Sequence, residues 1–205
     1  KKHENKKSIQ ILSKAIFGKS LAVLEALPEI HKLMQGIPTE FFVRHAYFKS
    51  KEKKPNSDID PPRDECGILW FAPLIPATGY HIEEMLRISK PYFRCFAFDF
   101  YAATLMVNPR SAVVLMGILY DKTSADETYR AEELYKALCK ATEEKDYQQY
   151  RVSINYMENL SNYSPTYHTL IEKIKNSFDP NNIISPGKYG IGKNYNPQYP
   201  KRAHG

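Results

Sequence analysis

The run from Gly187 to Lys193 carries the most obvious candidate for chemistry, because it matches the pattern GxxxxGK. In a phosphate-binding loop this pattern lies between a buried strand and a helix, so that backbone N–H groups point at the phosphates. Here Asn194 stands where Ser or Thr would follow, and the stretch 195–200 contains two prolines, which disfavour a helix. The sequence therefore argues against nucleotide hydrolysis at this run.

The three cysteines, Cys66, Cys95 and Cys139, are odd in number and widely spaced. No CxxC motif occurs, and none of the six histidines pairs with a cysteine at the spacing of metal ligands. We therefore predict three reduced thiols, with neither a structural metal site nor a disulfide framework.

The charge of the chain is modestly basic, with 29 Lys and Arg against 23 Asp and Glu. Much of the excess lies at the two ends, and no nucleic-acid-binding module accompanies it, so a nucleic-acid partner is not predicted. The longest apolar stretches, such as 112–119, are too short to span a bilayer. Because the sequence has no initiator Met and starts with a helix-like composition, we expect a segment of a longer polypeptide.

The spacing of apolar residues predicts an α+β fold, in which helices flank an antiparallel sheet. The pattern predicts helices over 8–18, 20–34, 79–90, 124–144 and 165–178, and strands over 66–74, 93–107, 111–120 and near 149–156. Pro28 is expected to kink or divide the second helix. A charged, proline-rich surface loop is expected over 50–65, a turn at Asn108-Pro109-Arg110, and a helix end at Asp179-Pro180.

Five short stretches together carry a resemblance to known proteins. They are Met34–Thr39, Gly67–Pro73, Leu119–Thr123, Tyr150–Val152 and Asp179–Lys188. Each stretch is weak alone, but the set covers roughly residues 30–191 in register and resembles, in the same order, the flavoprotein family of vanillyl-alcohol oxidase and 4-cresol methylhydroxylase.

This resemblance implies a protein of two domains, in which a cap domain covers a flavin held by an FAD-binding domain. Residues 1–149 are expected to form the later part of the cap, and residues 150–205 the C-terminal segment of the FAD-binding domain. The partner of the chain would then be the N-terminal FAD-binding portion of the same protein.

The family's phenolate-binding pair corresponds to Tyr150 and Arg151. A guanidinium donates in a planar fork and stays cationic, and a Tyr hydroxyl adds a second donor. Together they would lower the pKa of a bound para-substituted phenol, so that hydride can leave its benzylic carbon for flavin N5. Taken without the resemblance, the same two residues would be a strand residue and a surface cation.

The turn Pro186-Gly187-Lys188 matches a basic family position near the flavin, so these three residues are expected to contact the cofactor. A lysine cation beside flavin N1 and O2 would stabilise the anionic reduced ring. The competing interpretation is a solvated lysine at a turn.

Several pocket positions depart from the methylhydroxylase pattern. Val113 and Val114 replace a histidine pair, Gly117 replaces an acidic residue, and Thr104 replaces another acidic residue on the preceding strand. We therefore expect Val113, Val114 and Thr104 to line a more apolar substrate pocket.

Covalent attachment of the flavin is also not expected. The position of the family's histidine linkage falls at about Ile68, which cannot react, and that of the tyrosine linkage falls near Ala46 or Tyr47. Tyr47 is thus the one candidate for attachment, and non-covalent FAD is predicted.

Two functions follow from the resemblance. The first is an FAD-dependent oxidoreductase that oxidises a para-substituted phenol or related alcohol, with a cytochrome c or O2 as electron acceptor, in a homo-oligomer. The alternative is a catalytically altered member of the family that acts as a structural subunit of a larger complex.

Overall fold

A computed structural model of the 205-residue chain describes residues 21–41, 43–49, 58–154, 156–157 and 165–192. The helices over these residues are α1 (Leu21–Met34), α2 (Gly79–Cys95), α3 (Ala125–Glu143) and α4 (Pro165–Phe178). The strands are β1 (Cys66–Pro76), β2 (Tyr101–Asn108), β3 (Ser111–Asp121) and β4 (Gln149–Arg151). Short 3-10 turns cover Val43–Phe48 and Lys188–Gly190. The helix expected over 8–18 and residues 50–57 of the expected loop lie outside the described residues.

The four strands form one antiparallel sheet in the order β2-β3-β1-β4, flanked by helices. Along the chain the elements follow the order strand, helix, strand, strand, helix, strand. In the sheet, β3 lies between β1 and β2, and β1 lies between β3 and β4. This is the split βαβ arrangement of ferredoxin-like domains. The predicted fold class is therefore confirmed.

The chain divides into two compact units, and β1, β3 and α3 contribute residues to both. The first unit comprises residues 1–68 and 118–134, and it contains a cluster of Ala46, Tyr47 and Cys66 with Ile59 packed against it. The second unit comprises residues 69–117 and 135–205, and its buried side chains include Phe71, Ile75, Met85, Phe93, Val114, Tyr135 and Leu138.

Helix α2 begins where predicted but ends five residues later than predicted, at Cys95. Thr78 caps its N-terminus by accepting the N–H of His81, and Pro91 lies inside it. Met85, Ser89 and Phe93 repeat every four residues and are buried, so one helical face continues past Pro91. The strand predicted from residue 93 therefore begins only at Tyr101.

Other boundaries follow the sequence more closely. Pro28 lies inside α1 without dividing it. The predicted turn between β2 and β3 is present, and Asn108 Oδ1 accepts the N–H of Arg110 at 2.8 Å. The last strand is shorter than predicted, with three residues. None of the helices in the described part of the chain is long and apolar enough to cross a bilayer.

Candidate functional site: one face of the sheet and a C-terminal turn

Strand β4 carries Tyr150 and Arg151 at the edge of the sheet. It pairs with β1 through Ala72–Arg151 and Pro73–Gln149, with a bulge in the register between Ala72 and Pro73. Because Ala72 and Pro73 point to opposite faces of β1, their cross-strand partners do too. Arg151 and Gln149 thus lie on different faces of the sheet. In a regular strand they would share a face, because they are two residues apart.

The two faces differ in burial. On β1, Phe71, Pro73 and Ile75 are buried, whereas Trp70 and Leu74 are 46% and 39% exposed. We call the side carrying Phe71 the core face and the side carrying Trp70 the aromatic face. Arg151 lies on the aromatic face, because it pairs with Ala72. Tyr150 is 65% exposed and Arg151 is also exposed.

An aromatic pair closes over β3 on the aromatic face. The ring centroids of Trp70 and Tyr101 are 6.2 Å apart, with an interplanar angle of 52°. Gly117 lies between them, and a Cβ there would be 2.8 Å from Tyr101 Cδ1 and 3.4 Å from Trp70 Cζ3. The position where the family pattern has an acidic residue is therefore closed to a side chain unless Tyr101 moves.

The residues expected to line the substrate pocket are divided between the two faces. Val113 and Gly117 are an even number of residues apart on β3, so Val113 also lies on the aromatic face. Its side chain is nearly buried. Val114 is fully buried and lies on the core face. Thr104 pairs with Val114, so it lies on the core side of the exposed edge strand β2. The structure brings Val113 to the face of Arg151 but not Val114 or Thr104, because successive strand residues alternate.

Tyr47 lies in the first unit and uses its hydroxyl there. The hydroxyl donates to Asp64 and accepts the N–H of Asp60 at 3.0 Å, and Arg63 pairs with the same Asp64 carboxylate. Burial and the bond to Asp64 raise the pKa of Tyr47 to about 12. Burial and these hydrogen bonds disfavour a contact between Tyr47 and a flavin, and its role at the cofactor stays a prediction.

The turn after α4 is held by Asp179. Its carboxylate accepts from Lys175 Nζ and from the N–H groups of Ile183 and Ile184, and Lys175 also donates to the Ile184 carbonyl. The Lys175 hydrogen bond, followed by these backbone donors, lowers the pKa of Asp179 to about 2. The helix end expected at Asp179-Pro180 is therefore a capped turn that fixes the start of the segment leading to Lys188.

Lys188 lines a cavity of about 310 Å³. The lining residues are Lys175, Phe178, Asp179, Ile184, Ser185, Lys188, Tyr189 and Ile191. Lys188 Nζ is 5.9 Å from the Tyr189 ring centroid, and it forms no ion pair with any residue that the structure describes. Its charge is thus open to a ligand.

Pro186 and Gly187 shape this turn and are absent from the cavity wall. Gly187 adopts a left-handed backbone (φ 76°), and its N–H donates to the Ile191 carbonyl, so that donor is occupied. Through Gly192 the GxxxxGK run forms a 3-10 turn where a phosphate-binding loop would start a helix. This turn further disfavours nucleotide hydrolysis at the run.

Sequence reasoning missed Trp70 and Tyr101 as residues of the face that carries Arg151. Trp70 lies inside the motif Gly67–Pro73. Because Trp70 and Phe71 are adjacent in a predicted strand, the alternation of side chains could have placed Trp70 on the face opposite Phe71. Its contact with Tyr101 depends on the sheet order β2-β3-β1, which the sequence does not encode locally.

The chain matches curated relatives over more than half of its length. It is 31% identical over 162 residues to 1'-carboxy-chondrochloren decarboxylase of Chondromyces crocatus, covering 79% of the chain and 30% of the relative. It is 33% identical over 129 residues to the 4-cresol dehydrogenase [hydroxylating] flavoprotein subunit of Pseudomonas putida, covering 62% of the chain and 25% of the relative. The chain therefore spans less than a third of the length of either relative. No protein-family model matches it.

Solved structures agree with these relatives. P-cresol methylhydroxylase with substrate bound superposes with a TM-score of 0.60 at 32% identity, covering 64% of the chain and 26% of that protein. The isoeugenol complex of 4-ethylphenol oxidase from Gulosibacter chungangensis, at 22% identity, has a TM-score of 0.57 over 61% of the chain and 24% of that protein. The second likeness concerns the fold alone.

The fold is thus that of the sheet-and-helix part of a flavoprotein oxidoreductase. Over about 60% of its length the chain is related to members of the vanillyl-alcohol oxidase and 4-cresol methylhydroxylase family, as a part of such a flavoprotein would be.

Proposed function

We propose that this chain is the substrate-facing part of an FAD-dependent oxidoreductase that oxidises a para-substituted phenol or a related alcohol. The observation that carries this proposal is the placement of Arg151 on the aromatic face, with Trp70 and Tyr101 on the same face. A cation on the same sheet face as flat apolar side chains suits an aromatic anion, because the rings can contact its faces and the guanidinium can bind its oxygen.

Arg151 and Tyr150 would act on the phenol oxygen. The guanidinium fork and the Tyr hydroxyl donate to the phenolate, which lowers the pKa of the substrate and orients its ring. The phenolate pushes electron density to the para carbon, which favours loss of hydride from the benzylic position. The resulting quinone methide then takes up water or is quenched within the substrate. FAD, when bound, would accept the hydride.

Lys188 is the residue of this chain best suited to the flavin. Its unpaired charge beside a cavity of about 310 Å³ fits an anionic heterocycle edge. In the described residues the turn offers no free backbone donor at Gly187, so the phosphates of FAD would be held by the N-terminal portion of the protein. Non-covalent binding belongs to the same proposal, because Ile68 has no reactive group and the Tyr47 hydroxyl is buried and donates to Asp64.

The division into a cap over 1–149 and an FAD-domain segment over 150–205 also belongs to this proposal. Helix α4 has no buried residue in this chain and exposes Tyr167, Leu170, Ile174 and Phe178. Exposed apolar residues at helical spacing support packing against further polypeptide. The boundary after 149 falls inside β4, so we place the start of the segment after Arg151.

The electron acceptor and assembly extend the same proposal. The Pseudomonas putida relative is described as a flavoprotein subunit. For the present protein we propose a homo-oligomer that passes electrons to a cytochrome c or to O2. Measuring flavin reoxidation with each acceptor separately decides between them.

Substituting Arg151 by Lys in the full-length flavin-bound protein tests the proposal. Lysine keeps the charge but loses the planar fork, so the apparent pKa of a bound phenol should rise and flavin reduction should slow by roughly tenfold or more. Arg87→Lys is the matched control, because Arg87 pairs with Glu84 on the exposed side of α2. Unchanged reduction in Arg151→Lys would remove Arg151 from the site.

A second candidate function is a structural subunit without catalysis. It is favoured by the composition of the aromatic face, where β3 presents Val113, Leu115 and Gly117, none of which is an acid or a base. The Chondromyces crocatus relative is described as a decarboxylase, so reactions differ among relatives. Absence of the visible flavin absorption from intact full-length protein would favour this candidate, and its presence the first.

A further inference from the structure

A buried tyrosine of α3 lies directly beneath the strand that carries Tyr150 and Arg151. The Tyr135 side chain is fully buried. Its ring meets Phe71 edge-on at 5.7 Å between centroids and stacks on Tyr156 at 4.4 Å. These contacts on both sides fix the ring, so its hydroxyl has a defined position on the core face.

The Tyr135 hydroxyl holds both ends of β4. It donates to Gln149 Oε1 at 2.8 Å and accepts the backbone N–H of Ser153 at 3.2 Å. Gln149 immediately precedes Tyr150, and Ser153 follows Arg151 by two residues. One hydroxyl thus bridges the residues before and after the proposed phenolate-binding pair.

A second residue of α3 completes the attachment. Gln149 Nε2 donates to Cys139 Sγ at 3.2 Å, one helical turn beyond Tyr135. Burial raises the pKa of the Cys139 thiol to about 12, so the sulfur stays neutral. The two bonds fix which way the Gln149 amide points, and with it the face on which Gln149 lies.

The attachment matters because β4 has little else to set its register. It is a three-residue edge strand with a bulge opposite β1, supplemented by one bond from Leu74 N–H to the Gln148 carbonyl. A slip of one residue would exchange the faces of its side chains. Gln149 held on the core face therefore keeps Arg151 on the aromatic face.

We propose that Tyr135 is a positioning residue for Tyr150 and Arg151, acting through Gln149 and Ser153. This inference rests on the proposed function of that pair. Tyr135 touches neither the phenol nor the flavin in this scheme. Its hydroxyl sets the register of β4, and the register sets where the guanidinium meets the substrate oxygen.

Tyr135→Phe in the full-length flavin-bound protein is the test, because it keeps both ring contacts and removes only the hydroxyl. Two quantities are measured: the ionisation of bound 4-hydroxybenzaldehyde from its absorbance across pH, and the rate of flavin reduction by 4-cresol. We expect the pKa of the bound phenol to rise towards its value in water. Reduction should slow roughly ten- to hundredfold, as expected when a reacting group is misplaced by about an ångström.

Thr142→Val is the matched control. Thr142 is buried on the same helix and donates its hydroxyl to the Leu138 and Cys139 carbonyls without touching β4. It removes a buried hydroxyl and lowers stability, but it should leave the ionisation of the bound phenol unchanged. If Thr142→Val changed that ionisation as much as Tyr135→Phe does, α3 would influence the bound phenol only through the stability of the fold. That result would overturn the inference.

Gln149→Met gives a second route should Tyr135→Phe not fold. It removes the bonds to Tyr135 and Cys139 but keeps the Ser153 contact, so the same changes should appear with smaller size. If Arg151→Lys alters the bound phenol while Tyr135→Phe and Gln149→Met do not, the positioning role is wrong. If none of the three alters it, or the parent protein does not bind the phenol, the proposed function itself is wrong.

Discussion

Asp179 joins a helix end, a lysine and two backbone N–H groups in one cluster. A carboxylate with three donors is held in its ionised form, and for this reason the pKa of Asp179 falls to about 2. The residue has no part in the proposed reaction. It fixes the turn from which Lys188 reaches the cavity, so its ionisation should be visible in the stability of the chain.

Asp179→Asn should remove a contribution to stability that depends on pH. The pKa in the folded chain, about 2, lies below the value of about 3.9 of an unfolded aspartate. The contribution is therefore complete above about pH 4 and is lost as the pH falls towards about 2. Thermal midpoints of both forms should differ most near neutral pH and converge in acid. A constant difference across that range would contradict the assignment.

At the residue scale, the sequence showed which residues occupy the pocket positions of the family better than it showed which face of the sheet each side chain lies on. The substitutions at positions 113, 114 and 117 were readable by comparison with a motif. Their division between faces required the register of β3, which burial on both faces of that strand hides from the hydrophobic pattern. The contact of Tyr135 with Gln149 joins residues on different elements, and no local pattern encodes such a contact.

At the scale of elements, two glycines near the start of an element have different physical roles. Gly67 is the second residue of β1, and a Cβ added there would lie 2.5 Å from the ring of Tyr120, which is itself nearly buried. Gly79 begins α2, and a Cβ added there meets nothing within 4 Å. The ring of Tyr120 thus occupies the space that a side chain at 67 would need.

Gly67→Ala should lower the free energy of unfolding by about 1–3 kcal/mol, as is typical of overpacking a core. Gly79→Ala is the control, and it should leave stability unchanged or raise it by about 0.4–1 kcal/mol, because alanine restricts the unfolded chain more than glycine does. Denaturant titration of both variants measures the difference. Equal stabilities would mean that Tyr120 moves aside at little cost.

Helices and strands could be predicted from periodicity wherever one face is buried. The apolar pattern predicted the strands of the sheet and the long helices α2 and α3. The hairpin turn between β2 and β3 was also predicted. The error at residues 93–100 has a simple cause, since aromatic residues suggested a strand while Phe93 continues the buried row of α2. The three-residue length of β4 was unreadable, because the bulge against β1 depends on tertiary pairing.

At the scale of the whole molecule, the matched part of the chain covers about 30% and 25% of two curated relatives. Tyr150, Arg151 and Lys188 are exposed here, and α4 has no buried residue. In the proposed enzyme the flavin and the N-terminal portion would cover these surfaces. The order of the motifs predicts this division, and the division stays a prediction.

The mode of flavin attachment is a property of that whole protein which this chain constrains. Covalent linkage needs a nucleophile at the flavin ring. The two family positions hold Ile68, which has no nucleophilic group, and Tyr47. The Tyr47 hydroxyl donates to Asp64, and its pKa is about 12. Full-length protein precipitated with acid should release its flavin into the supernatant and leave a colourless pellet. Tyr47→Phe should release the same amount of flavin, while its thermal midpoint should fall because the Asp60 N–H loses its acceptor. A yellow pellet from the parent protein that turns colourless in Tyr47→Phe would instead identify Tyr47 as the attachment site.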